Sequence, residues 1–155
     1  DEMAVRKIRT GNDPILKKKC KTVPEVDDKA RQQLDDLMDT LHSAENGAAL
    51  AANQAGILRR MIVIDHEGYY LKLVNPVIVE SSGSQECVEG CLSFPNRFGK
   101  TIRPAKVTVE ALDEHGHEVS YTVVGEMAKC FCHEIDHLDG EVFIDKVYEY
   151  VGIDE

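Results

Sequence analysis

The chain has 155 residues, 43% hydrophobic and 30% charged, with a net charge of −10 and a pI near 5.0. That length supports one domain with a real core, expected to span 1–155, and the acidic balance argues against nucleic-acid binding through clustered cations. No stretch approaches the ~18 apolar residues of a membrane span, and the charged start does not have the form of a signal peptide. Five cysteines, at 20, 87, 91, 130 and 132, are an odd number that suits a disulfide framework poorly, so a cytoplasmic, reducing setting is expected. Asp1-Glu2 stand ahead of Met3 and read as a remnant outside the native chain.

The basic cluster Lys17-Lys18-Lys19-Cys20-Lys21 reads as a solvated face. Ala30, Leu34, Leu37, Met38 and Leu41 fall at helical spacing behind Asp27-Asp28, which predicts an amphipathic helix with an aspartate N-cap, running to Ser43–Asn46 and stopped by Gly47. The segment from Gly47 to Gly56 is rich in small residues and suits a close backbone approach. Strands are predicted at 61–65, 70–75 and 77–80, short β-branched runs broken by Gly68 and Pro76, and again at 105–112 and 118–124, joined by a hairpin at 113–117 whose turn His115 and His117 decorate. Val142–Ile144 is a last short strand or turn, followed by a short tail. The expected fold is α+β: antiparallel strands packed around one central, largely buried helix.

That helix carries the chemistry. Val124, Ala128, Phe131, Ile135 and Leu138 form an apolar stripe, and Gly140 is a stop signal. Beside the stripe stands His133-Glu134-Ile135-Asp136-His137. Residues four apart share a helix face, so both imidazoles can reach one metal ion, while Glu134, about 100° around the helix, addresses a water there. Chance produces this pattern on the order of 0.02 times in a chain of this composition. Two histidines leave a metal site incomplete, and cysteine is the candidate third ligand. Gly90 and Pro95 mark a sharp bend that presents Cys91 rather than burying it in a strand. Cys87 competes, and Cys130, three residues before His133, is also compatible on spacing. Asp136 points away from the histidines and is expected to pair with Arg103.

Three motifs in order, Gly47-Ala-Ala-Leu50-Ala-Ala-Asn-Gln54, Glu89-Gly90-Cys91-Leu92-Ser93 and His133-Glu134-Ile-Asp-His137, resemble the peptide deformylases of bacteria, and the likeness covers nearly the whole chain. The resemblance implies a hydrolase that removes the N-formyl group from the formylmethionine of new polypeptides and releases formate. It implies Cys91, His133 and His137 as ligands of one divalent ion, Fe(II) in the first place, with zinc, nickel or cobalt also accepted. Glu134 takes the proton-transfer role, and Gln54 and the backbone N–H of Leu92 become oxyanion donors. Ala48, Ala49, Leu50 and Gly90 form the substrate wall. The implied partners are N-formylmethionyl peptides and nascent chains, without nucleic acid or membrane.

The chain departs from the family pattern twice. Ala49 stands where the pattern has glycine, and the chain stops shortly after Tyr150, so docking on the ribosome by a long C-terminal helix is not expected. The alternatives are a zinc endopeptidase, whose third ligand would come from Glu141, Glu149 or Glu155, and a structural zinc module that uses Cys87, Cys91, Cys130 or Cys132 with the histidines and is closed to water by a fourth protein ligand.

Overall fold

The computed structural model describes residues 4–152; the reading of Asp1-Glu2 lies outside them. After a 3-10 turn at Pro14–Lys17 comes helix α1 (Asp28–Ser43), capped by the Asp27 carboxylate, which accepts from the Ala30 N–H at 2.9 Å. The helix ends at Ser43 with Ala44 as its C-cap, and Asn46 rather than Gly47 takes the left-handed backbone conformation. Strand β1 (Ala49–Ala51) runs into a 3-10 turn at Ala52–Ala55. Then follow β2 (Met61–His66), β3 (Tyr69–Ser82), β4 (Gln85–Cys91), β5 (Phe94–Arg103), β6 (Lys106–Leu112), β7 (Glu118–Val124), helix α2 (Gly125–Leu138), a 3-10 turn at Phe143–Lys146 and β8 (Glu149–Tyr150).

The strands form two antiparallel sheets, β1-β2-β3-β6-β7 and β4-β5-β8. The first is covered on both faces, which accounts for the continuous apolar run at the start of β2. Met61 and Val63 turn toward the α1 stripe of Leu34, Leu37, Met38 and Leu41, while Ile62 and Ile64 turn toward α2. Ala128, Phe131, Ile135 and Leu138 of α2 are buried in that second layer, so this α+β fold does carry its antiparallel strands around a central helix. Burying one such aliphatic side chain contributes roughly 1.5–3 kcal/mol. Val124 does not belong to the stripe: it ends β7 as an exposed residue, because the helix begins only at Gly125.

Three further elements differ from expectation. Pro76 does not divide β3, which passes through it as one strand; the register with β6 shifts between Val74 and Val77, where a bulge removes the need for the missing N–H. Asn75, with φ 53, stabilises this bend by bonding both the N–H and C=O of Val23 at 2.9 Å. The bend predicted around Cys91 is instead a hairpin: β4 and β5 pair from Gln85–Arg103 to Cys91–Phe94, and Cys91 is the last residue of its strand. The tail is also structured, since β8 pairs with β5 through Gly99–Tyr150 and Lys100–Glu149.

The end of α2 is held firmly. The His137 carbonyl accepts from Asn53 Nδ2 at 2.6 Å, and that of Leu138 accepts from the Cys20 N–H at 2.8 Å and from Arg60 at 3.1 Å. Gly140 terminates the helix with φ 77, and a Cβ there would meet the Lys17 carbonyl group, its carbon at 2.7 Å. Gly140→Ala combines a left-handed backbone penalty with a clash against backbone, and is expected to destabilise the protein by about 3 kcal/mol, read as a lowered urea midpoint.

Candidate metal centre and active site

The site lies at the seam between the two sheets, where three elements meet. β4 brings Cys91, α2 brings His133, Glu134 and His137, and the turn after β1 brings Gln54. The thiol of Cys91 and one ring nitrogen from each histidine all lie within 4.8 Å of one another. Cys91 Sγ is 3.4 Å from His137 Nε2, and the two imidazoles stand 5.0 Å apart, centroid to centroid. No other such group of His, Cys, Asp or Glu occurs among the described residues.

The other thiols are separated from this role by their surroundings. Burial raises Cys87 above the ordinary thiol range, raises Cys20 and Cys132 to about 11, and pushes Cys130 higher still. A thiol must lose its proton to bind a metal, and an apolar surrounding opposes that loss. All five cysteines are free. Of the downstream carboxylates, Glu141 pairs with Lys146 at 3.1 Å and Glu149 with Lys100 at 3.7 Å, so neither joins the cluster; Glu155 lies outside the described residues.

Behind His133 sits a residue that sequence reasoning missed. Glu89, 1% exposed, accepts from His133 Nδ1 at 2.8 Å. Its other contacts are Thr101 Oγ1 at 2.5 Å and Arg103, bidentate at 2.5 and 2.8 Å. Burial alone would favour a neutral Glu89, but the hydrogen bonds from Arg103 and His133 overcome it and hold the carboxyl far below the usual range. An ionised Glu89 can only accept, so Nδ1 of His133 carries a hydrogen and Nε2 is left for a metal. His133 itself is held well above the ordinary imidazole range: burial opposes its charge, and hydrogen bonds to Cys91 and Glu89 outweigh burial. Metal binding replaces the proton on Nε2. His137 is shifted the opposite way by burial and by the neighbouring His133. Arg103 Nη1 reaches Asp136 at 2.7 Å, the pairing expected from sequence.

Glu134 is buried beside the cluster, with one oxygen 4.0 Å from His133 Nε2 and the other without a partner. Burial raises its carboxyl to about 7, which suits a group that must both take and give a proton near neutrality. Gln54 is pinned at both ends of its amide. Its oxygen accepts from the Ala51 N–H at 2.9 Å, and its nitrogen approaches Ser93 Oγ at 3.0 Å and Cys91 Sγ at 3.3 Å. The buried Ser93 was quoted within a motif but given no role; its hydroxyl accepts from the Gln54 amide nitrogen, while the Ala51 N–H, which can only donate, fixes which way the amide faces.

A cleft of about 550 Å³ opens onto Cys91, His133 and Glu134 and is lined in part by Ala48, Ala49, Gly90 and Leu92. The Leu50 side chain instead lies in the core against α1. Ala49 has none of the positive φ that would demand glycine, so its methyl forms cleft wall without backbone strain. One cysteine sulfur and two imidazoles converging within 4.8 Å, with an unpartnered buried carboxylate oxygen beside them, fit a single divalent ion.

An α+β fold with a cysteine and a helix-borne His-Glu-x-x-His converging on one cleft defines a metal-dependent hydrolase. The family model for polypeptide deformylase matches residues 5–151. Peptide deformylase 2 of Clostridium acetobutylicum is 58% identical over 149 residues, covering 96% of this chain and 99% of that protein. The peptide deformylase of Caldicellulosiruptor bescii is 50% identical over 153 residues, covering 99% and 92%. Among solved structures, the peptide deformylase of Synechococcus elongatus in complex with actinonin has a TM-score of 0.89 at 37% identity, covering 94% of this chain and 80% of that one. That of Thermotoga maritima has 0.88 at 33%, covering 92% and 97%. The chain belongs to the polypeptide deformylase family.

Two outcomes test this site. In cobalt-substituted protein, a thiolate-to-cobalt charge-transfer band is expected to vanish in Cys91→Ser and persist in Cys87→Ser, Cys130→Ser and Cys132→Ser. Glu89→Gln removes the charge that orients and polarises His133, and is expected to weaken metal affinity by roughly 10–100-fold in chelator competition.

Proposed function

We propose that the chain hydrolyses the formamide bond of N-formylmethionyl peptides and nascent chains in the cytoplasm, yielding formate and a free amino terminus. The observation that carries this reading is Glu134: a buried carboxylate with an unpartnered oxygen, next to three converging metal donors at the end of a cleft. Five free thiols support a reducing setting, and no helix among the described residues is long and apolar enough to cross a membrane. The charge of −10 supports a peptide rather than a nucleic-acid partner. The last element among the described residues is β8.

Cys91, His133 and His137 would hold the divalent ion, Fe(II) by family likeness, and when bound it supplies Lewis acidity at the formyl group. Glu134 accepts a proton from the attacking water as the water oxygen bonds to the formyl carbon. The oxyanion this creates is assigned to the backbone N–H of Leu92 and to the Gln54 amide, whose first N–H is directed to Ser93 and whose second turns from the Cys91 sulfur to the oxyanion. Such donors are each worth about 3 kcal/mol in the transition state. Glu134 then delivers its proton to the departing nitrogen as the C–N bond breaks.

The peptide itself lies extended between two open strand edges. β1 pairs only with β2 and β4 only with β5, and both present residues to the cleft, Ala49 from one and Gly90 from the other. Unpaired edges offer backbone hydrogen bonds that are indifferent to side chain, which suits an enzyme that meets many different sequences.

Ferrous-loaded protein is expected to release formate from formyl-Met peptides and to leave unformylated peptides intact. Glu134→Ala should keep its metal and lose about 10²–10⁴ in rate. Parallel loss of metal and activity, or cleavage of unformylated peptides, would contradict the assignment.

A further inference from the structure

Opposite Gly90 the register of the second sheet is broken. Glu89 pairs with Gly99 and Cys91 with Phe94, so the β5 segment Pro95–Phe98 stands against Gly90 alone. Asn96, with φ 64, turns this excursion, and Phe98 comes back across β4. A Cβ added at Gly90 would lie 2.7 Å from both Cδ1 and Cε1 of Phe98, so the ring rests directly on the Gly90 backbone. Yet the ring is 45% exposed, because its other side faces the cleft that holds Cys91 and Glu134. Val88, outward-facing two residues earlier on β4, extends the apolar surface.

The other wall is different. Lys129 and Glu126 of α2 also line the cleft, but they pair with each other at 2.8 Å, and Glu126 pairs with His66 at 2.9 Å. Their charges are engaged within the protein, whereas Phe98 presents an exposed apolar ring to the cleft.

We propose that Phe98 is a specificity-determining residue that selects an apolar side chain at the position directly after formylmethionine. The inference rests on the deformylase reading and on an extended substrate. Side chains of an extended chain alternate in direction. With methionine directed inward toward Cys130 of α2, the next side chain points to the outer wall, where Phe98 lies over Gly90. An apolar residue there covers the exposed ring face and removes both surfaces from water.

The test compares kcat/KM for formyl-Met-Leu-Ser, formyl-Met-Ser-Ser and formyl-Met-Asp-Ser in the ferrous-loaded wild type, Phe98→Ala and Phe98→Leu. The wild type is expected to favour leucine over serine by about tenfold. Phe98→Ala should narrow that ratio to about twofold, with the loss in KM for the leucine peptide, and Phe98→Leu should restore most of it. A wild type indifferent to the second residue overturns the proposal, as does an unchanged ratio in Phe98→Ala. A proportional loss on all three peptides would make the ring merely structural and also overturn it. Absence of formate from every peptide would fail earlier, at the deformylase reading itself.

Discussion

The interaction on which this structure depends is the carboxylate of Glu89, shared between an imidazole, a guanidinium and a hydroxyl in the interior. A lone buried carboxylate would be costly to desolvate. Here His133, Arg103 and Thr101 occupy its oxygens, so the charge is fully partnered and its removal would strand the buried Arg103. Because the partners come from β4, β5 and α2, the same interaction sets how the second sheet meets the central helix. Arg103 extends the link by reaching Asp136, one helical turn beyond His133. Rotating α2 about its axis would break both contacts.

The far end of α2 is fixed by a separate set of bonds. Asn53 and the pair Cys20 and Arg60 take the last helical carbonyls, so His137 is positioned from its backbone while His133 is positioned from its ring. Cys91 approaches from a strand end, outside the helix altogether. A metal centre assembled from elements that are each anchored independently needs little rearrangement to accept an ion, and this preorganisation lets one thiol and two imidazoles act as a unit.

Small residues shape the cleft in two opposite ways. Ala49 widens the local side chain without backbone strain, since its strand conformation suits any L-residue. Gly90 is required for a different reason: a methyl there would displace Phe98 from the cleft mouth. Neither effect follows from residue size alone. Each depends on what packs above the backbone.

The sequence by itself determined whatever depends on local periodicity. The face shared by His133 and His137, the Asp27 cap, the α1 stripe and the β6–β7 hairpin are all set within a few residues of chain, where helix and strand geometry leave little freedom. The three motifs, taken together through family likeness, also pointed to Cys91 among five cysteines. Spacing alone left Cys130 open, because a ligand from outside the helix is chosen by approach in space. Tertiary structure decided the rest. The β4–β5 pairing was hidden by Gly90 and Pro95, which read as a break, and only cross-strand hydrogen bonds convert that break into a hairpin with an irregular register. Pro76 misled for a similar reason, since whether a proline interrupts a strand depends on whether a partner needs its N–H. Glu89 went unassigned because a carboxylate in a strand looks solvent-facing until Arg103 and His133, 14 and 44 residues away, close around it.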